Sequence, residues 1–191
     1  MPRRADPELE GKILDAAQKL WKKSGARGLT MRAVAQAAGT NTPSVYRRFR
    51  DRNDILRGLL QRIRWEIAAQ MEGISSPEEG CERYLDYALR HPREYELFFQ
   101  KEYELFYSAR SLRAGYKPTV LPVRDAMRQK VAEKLGGSSG DHERVLMALR
   151  MLVHGAAMLL IEKAILPEDA GEARAVMTAS VAALLRAGDG L

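Results

Sequence analysis

The run TMRAVAQAAGTNTPSVYRRF, Thr30 to Phe49, admits few folds. Met31, Val34, Ala35 and Ala38 recur at the spacing of one helix face behind a start signal at Thr30. Gly39 then permits a sharp turn, because glycine reaches backbone angles that a side chain penalises. Asn41 offers a side-chain oxygen as the cap of a second helix, and Pro43 is tolerated in its first turn, where the amides have no intrahelical partner. On that second helix Val45 and Phe49 point inward. Ser44, Arg47 and Arg48 are left toward solvent, with Tyr46 between the two sides. The pattern predicts two short helices joined by a tight turn, with hydroxyls, a tyrosine and two arginines displayed on the second.

Such a helix suits a DNA groove. A recognition helix enters the major groove by its N-terminal residues, where small side chains allow close approach and longer donors reach base edges or phosphates. By this chemistry Thr30, Tyr46, Arg48 and Arg52 hold phosphates, while Thr42, Pro43, Ser44 and Arg47 face base edges. Arg32 serves either purpose, and Asn41 starts the helix that carries the readout.

Thr30, Val34-Ala35, Ala38-Gly39, Asn41, Tyr46 and Phe49, followed by Asp51-Arg52-Asn53-Asp54-Ile55-Leu56, resemble the helix-turn-helix and the opening of the fourth helix in TetR-family transcriptional regulators. Thr40 stands where that family usually has an aliphatic residue, Pro43 where it often has glycine or alanine, and Arg52 where lysine is common. Further on, YLDYALRHPREYELFF and LVHGAAMLL are similar to segments of a subgroup marked by a Trp-His-Gly run, of which only His154-Gly155 is present. The resemblance implies an all-α fold: an N-terminal three-helix helix-turn-helix domain, joined by a long fourth helix to a larger helical effector-binding and dimerisation domain. We place the boundary between residues 1–56 and 57–191.

Charge supports a polyanionic partner. Of the 31 Lys and Arg, 15 fall in residues 1–64 against 6 Asp and Glu, a balance of +9, while the remaining 127 residues carry −3. The basic residues are spread through a compact motif and do not flank an apolar span, so a membrane surface is the weaker candidate. At 191 residues the chain is long enough for a good core. Cys81 is alone, so no intrachain disulfide is expected and packing is its expected role. MPRRADPELEGK has no apolar run of the kind a signal peptide needs, and a cytoplasmic location is expected.

The chain in order predicts only helices. Asp6 and Pro7 start the first, Ile13, Ala16, Ala17, Leu20 and Trp21 line it, and Ser24-Gly25 stops it. With Leu29, Val34, Val45 and Phe49, Trp21 should form the core of a three-helix unit. A fourth helix runs from about Asp54 to Met71 with Ile55, Leu56, Leu59, Leu60, Ile63 and Ile67 inward. Ser76 and Glu79 form a capping-box pattern for a helix with Cys81, Tyr84, Leu85, Ala88 and Leu89 inward. Eight of the 13 aromatics lie between Tyr84 and Tyr107, which predicts a dense core or the wall of an apolar cavity. SARSLRAGYKP is expected as a loop, and a helix from Pro122 to Leu135 ends at Gly136-Gly137.

Asp141 to about Leu166 and Pro167 to Ala187 are the last two helices. VLMALRMLVHGAAMLLI is apolar nearly all round, and its Arg150 and His154 weaken a membrane reading. Both helices are expected to form a four-helix homodimer interface through Met151, Leu159, Val176, Met177, Ser180, Val181, Leu184 and Leu185. An effector pocket is expected among Trp65, Tyr84, Tyr87, Phe98, Phe99, Tyr103, Met127, His154 and Met158.

No catalytic constellation is apparent. His91, His142 and His154 are far apart in sequence, no glycine-rich phosphate loop precedes a helix, and no His and Cys pair has metal-ligand spacing, so neither enzyme, metal nor cofactor is expected. The expected function is a sequence-specific DNA-binding regulator, a repressor released from a palindromic operator by a small apolar or aromatic effector. The alternative is a DNA-binding dimer without an effector, responding to a protein partner or acting constitutively.

Overall fold

The computed structural model describes residues 8–108 and 122–190, and all their regular elements are helical. Asp6, Pro7 and nearly all of the expected loop at residues 108–118 fall outside this range. The helices are α1 (Leu9–Gly28), α2 (Met31–Ala37), α3 (Thr42–Tyr46), α4 (Arg52–Gln70), α5 (Pro77–Arg90), α6 (Pro92–Glu102), α7 (Pro122–Leu135), α8 (Glu143–Ile161) and α9 (Ala170–Ala187). A π-helical turn, Tyr103–Tyr107, continues α6.

Among the described residues two compact units form, and they do not follow the expected boundary. The first holds the residues up to Ile63 together with α6 and its π-turn from Arg93. The second holds Arg64–Pro92 and everything from α7 onward. The dividing point falls inside α4, and α6 belongs with the helix-turn-helix unit, an arrangement that local periodicity does not encode.

In the first unit Trp21, Leu29, Val34, Val45 and Phe49 are all buried, as the apolar spacing predicts. α1 does break at Gly25, whose φ of 57° lies outside the helical region, but helical turns resume and reach Gly28. α4 opens with Asp51 accepting a hydrogen bond from the Asp54 amide (2.8 Å) while Asp54 accepts from the Arg50 amide (3.0 Å). These reciprocal caps satisfy amides that the first turn leaves without partners. The apolar stripe of α4 is buried throughout.

In the second unit Ser76 caps α5 by accepting from the Glu79 amide (3.2 Å), and Glu79 reaches back to the amide and hydroxyl of Ser75, both at 2.7 Å. Those bonds, with Arg83 beside them, hold the Glu79 carboxyl down at about 2. Cys81, Leu85 and Ala88 turn inward, but Leu89 is exposed and Tyr87 takes the buried place. Burial, with Glu78 and Glu82 nearby, pushes the Cys81 thiol up to about 12, so it is a packing group with negligible thiolate. α8 packs against α5 and α9, and within the single chain its buried stripe is Val145, Leu149, Val153 and Ala157.

Candidate nucleic-acid interface

α2 and α3 are positioned by their caps. Thr30 accepts a hydrogen bond from the Ala33 amide through its hydroxyl (3.1 Å), and Asn41 accepts from the Ser44 amide through its side-chain oxygen (2.9 Å). Between them the chain reverses at Gly39 (φ 65°), and the Thr40 amide returns to the Ala35 carbonyl at 2.9 Å. That bond closes α2 in a left-handed C-terminal turn, for which glycine is the favoured residue.

α3 is short, but the Arg47 amide donates to the Pro43 carbonyl (3.1 Å) and the Phe49 amide to the Val45 carbonyl (2.9 Å), extending helical order past Tyr46. Val45 and Phe49 are buried, which turns Pro43, Tyr46, Arg47 and Arg48 outward. Tyr46 is 54% exposed. Thr30, Arg32 and Asn41 are also exposed, and Thr42 is half-buried. The result is a short capped helix with a proline, a tyrosine and two arginines along its open side.

One expected placement is corrected, and a second expected contact residue has partners within the protein. Ser44 is buried and does not face solvent; its hydroxyl accepts from the Arg47 guanidinium at 2.6 Å. Three positions apart on a helix, the two side chains share one side, so Ser44 orients Arg47 rather than presenting itself to a base. Arg52 is committed to the protein: its Nε donates to the Leu29 carbonyl and its Nη2 to the Ala26 carbonyl, both at 2.8 Å. A guanidinium with two parallel donors fits the carbonyls left open at the end of α1. Sequence reasoning places Arg52 on phosphate because the partners lie more than 20 residues away.

The residues expected to line an effector pocket do not fall into one unit. Tyr84 and Tyr87 on α5, Met127 on α7, and His154 and Met158 on α8 belong to the second unit. Tyr87 donates its hydroxyl to Glu66 (3.0 Å) and stacks on His91 with ring centroids 4.7 Å apart. Burial holds the Tyr87 hydroxyl well above the usual phenol range, with Glu66 adding to it, so the phenol stays a donor. Burial, and secondarily Arg150, pushes His154 below the ordinary imidazole value. Phe98 and Phe99 instead belong to the first unit, edge-on to each other at 5.2 Å with Tyr95 against Phe99 at 4.7 Å. Trp65 is 56% exposed and lines no interior wall, and the side chain of Tyr103 lies outside the described residues.

The expected dimer residues also divide. Met177, Val181 and Leu185 are buried within the chain, so they face its own core and not a partner. Ser180 and Leu184 are half-buried. Met151, Leu159 and Val176 are exposed, as is Met147. Met147, Met151 and Leu159 follow one side of α8, and Val176, Ala179 and Ala183 follow the outward side of α9, opposite its buried stripe. The i, i+4, i+8 spacing of Met177, Val181 and Leu185 leaves the opposite side of α9 open.

The family profile of the bacterial regulatory proteins of the tetR family matches residues 13–59, and that of the tetracyclin repressor-like C-terminal domain matches residues 78–186. No curated protein matches the sequence. A protein of unknown function from Rhodococcus sp. RHA1 has a similar structure, with 21% identity, 98% of this chain and 99% of that chain covered, and a TM-score of 0.73. TetR from Acinetobacter baumannii AYE superposes with 16% identity, 92% and 94% coverage, and a TM-score of 0.61. The multidrug binding protein EbrR, in complex with imidazole, gives 23% identity, 93% and 92% coverage, and a TM-score of 0.60. At these identities the likeness establishes the fold.

Proposed function

This chain belongs to the TetR family of bacterial regulatory proteins, DNA-binding regulators of transcription and not enzymes, and we propose that it is a cytoplasmic repressor acting as a homodimer on a palindromic operator. The observation that carries the DNA side is the capped α3 with Tyr46, Arg47 and Arg48 outward, Arg47 held in place by Ser44. Arg47 reads a base edge, with Thr42 and Pro43 beside it. Thr30, Arg32, Tyr46 and Arg48 hold phosphates, which fix register without specifying sequence.

The dimer forms through the exposed apolar sides of α8 and α9, two helices from each chain. Each copy then presents one α3 to a half-site, with half-sites about one helical turn, ~34 to 36 Å, apart or a multiple of it.

Release follows from a small apolar or aromatic effector held in the second unit around Tyr84, Tyr87, Met127, His154 and Met158. Its leverage is its differential affinity for the DNA-competent and incompetent conformers, and linkage requires that DNA weaken effector binding by the same factor. A second reading, a dimer with no effector that answers a protein partner or acts constitutively, draws on the burial of Tyr87, Tyr95 and Phe106, which is what a packed core looks like.

Selection from a randomised duplex pool tests the DNA reading: enrichment of a two-fold symmetric sequence supports it, and no enrichment refutes it. Ala157→Phe tests the effector reading. Ala157 is fully buried on α8, so filling a cavity beside it gives a protein that binds operator and resists release by apolar compounds. Overfilling a packed core instead costs about 1 to 3 kcal/mol of stability and lowers DNA binding with it.

A further inference from the structure

Within the first unit, two adjacent residues of α1 grip two adjacent residues of α6. The Trp21 indole N–H donates to the Arg93 carbonyl at 2.9 Å, and the Arg93 guanidinium donates back to the Lys22 carbonyl. The Lys22 ammonium pairs with the Glu94 carboxylate at 2.8 Å, where the Glu94 side chain is 3% exposed and the Lys22 side chain 44%. Glu94 also sits in the first turn of α6, where the helix dipole favours an anion. The grip closes just upstream of the break at Gly25. Downstream of that break a different helix takes hold, through the bonds from Arg52 of α4 to Ala26 and Leu29. The two sides of one interruption in α1 are therefore held by two different helices, immediately before Thr30 and the DNA-facing helices.

Upstream in the chain, α5 ends at His91, the residue on which Tyr87 stacks, and Arg93 follows two positions later. Only Pro92 separates the end of the helix that carries Tyr84 and Tyr87 from the gripped residues. We propose that the contact of Trp21 and Lys22 with Arg93 and Glu94 is a clasp that transmits from the start of α6 to the helix-turn-helix through α1, separately from the continuous helix α4. Closed, it holds α1 in the pose that places Thr30, Arg32 and α3 for operator binding. The regulatory sense of the clasp rests on the reading that an effector acts in the second unit; its mechanical sense does not.

The test uses full-length Glu94→Gln, which removes the ion pair at constant shape, and Trp21→Phe, which removes the N–H donor along with part of the buried ring, a packing loss that the control segments below register. Amide hydrogen exchange is followed in segments 22–35, 55–63 and 145–157. Affinity is measured for the duplex that wild type enriches from a random pool and for an unrelated duplex of equal length. Both variants should exchange faster in 22–35 alone and bind the enriched duplex about two- to thirtyfold more weakly, the range for residues along a coupling network, with binding to the unrelated duplex unchanged. Unchanged exchange in 22–35, equal acceleration in all three segments, or equal losses on both duplexes would overturn the clasp. A wild type that enriches no duplex defeats the regulator reading instead, and the exchange pattern still decides whether α6 holds the end of α1.

Discussion

Arg52→Ala removes both bonds from the guanidinium to the end of α1. Hydrogen bonds to charged groups contribute roughly 1.5 to 3 kcal/mol each when well shielded. Here the bond to Ala26 is exposed and the bond to Leu29 is only part-buried, so water replaces much of what is lost, and about 2 kcal/mol for the pair is the expected cost. In a chain of this size that lowers the melting temperature by about 4 to 8 °C. Arg52→Lys should recover only part of it, because one ammonium does not span two carbonyls as a planar fork does. The assay is thermal unfolding by circular dichroism, run beside the salt dependence of DNA affinity. A phosphate contact contributes about 0.9 to the slope of log K against log salt, so a structural Arg52 leaves that slope unchanged. An unaltered melting temperature together with a slope reduced by about one would refute the structural role and restore Arg52 to the DNA interface.

Arg47→Ala should cost about 1 to 3 kcal/mol at the preferred site and relax the choice of one base pair, read out by repeating the duplex selection; unchanged preferences would remove Arg47 from base readout. Met151→Glu places a charge where the single chain leaves its side chain 63% exposed, so the fold should persist while sedimentation reports a monomer and operator affinity falls; an intact dimer would move the interface elsewhere. Glu79 sits at about 2 against an ordinary 4.5, so the stability it adds is fully present above pH 4.5 and is lost as pH falls toward 2. Glu79→Gln should flatten that acid limb of the stability profile, and an unchanged limb would show that the carboxylate bonds add nothing to folding.

How much was legible in the sequence follows the distance over which each interaction acts. The caps at Thr30, Asn41 and Ser76 and the turn at Gly39 depend on neighbours within five residues, and the structure has each of them. The burial of Val45 and Phe49 follows from the same short period. The bond from Trp21 to Arg93 spans 72 positions, and nothing in either local pattern announces it; with it went the membership of α6 in the first unit. The internal partners of Ser44 and Arg52 were missed for a related reason. Polarity alone assigns a hydroxyl or a guanidinium to solvent or DNA, whereas a partner supplied by the fold satisfies it internally. The aromatic cluster shows the limit of composition, because Tyr87 and Phe98 are close in sequence and sit in different units.

α8 carries the remaining question of what covers an apolar helix. Among the described residues it is the one helix long and apolar enough to cross a membrane, and only 22% of its most apolar window is buried inside the chain. Its 19 residues span about 29 Å, close to a bilayer core, so length alone does not decide. Charge does. Arg150 lies near the middle of the helix on its exposed surface, and an arginine there costs roughly 2.5 to 3.5 kcal/mol in lipid even by the gentlest scale. Beside a protein partner the same guanidinium can stay at the wet rim of the contact while Met147 and Met151 are covered. α9 points the same way, since a lipid-facing helix gains from large side chains, whereas its outward Ala179 and Ala183 add little apolar area and permit close backbone approach. In the dimer proposed above, a second copy of α8 and α9, bringing its own methionines and alanines across a two-fold axis, would cover both faces at once and leave the charges in water.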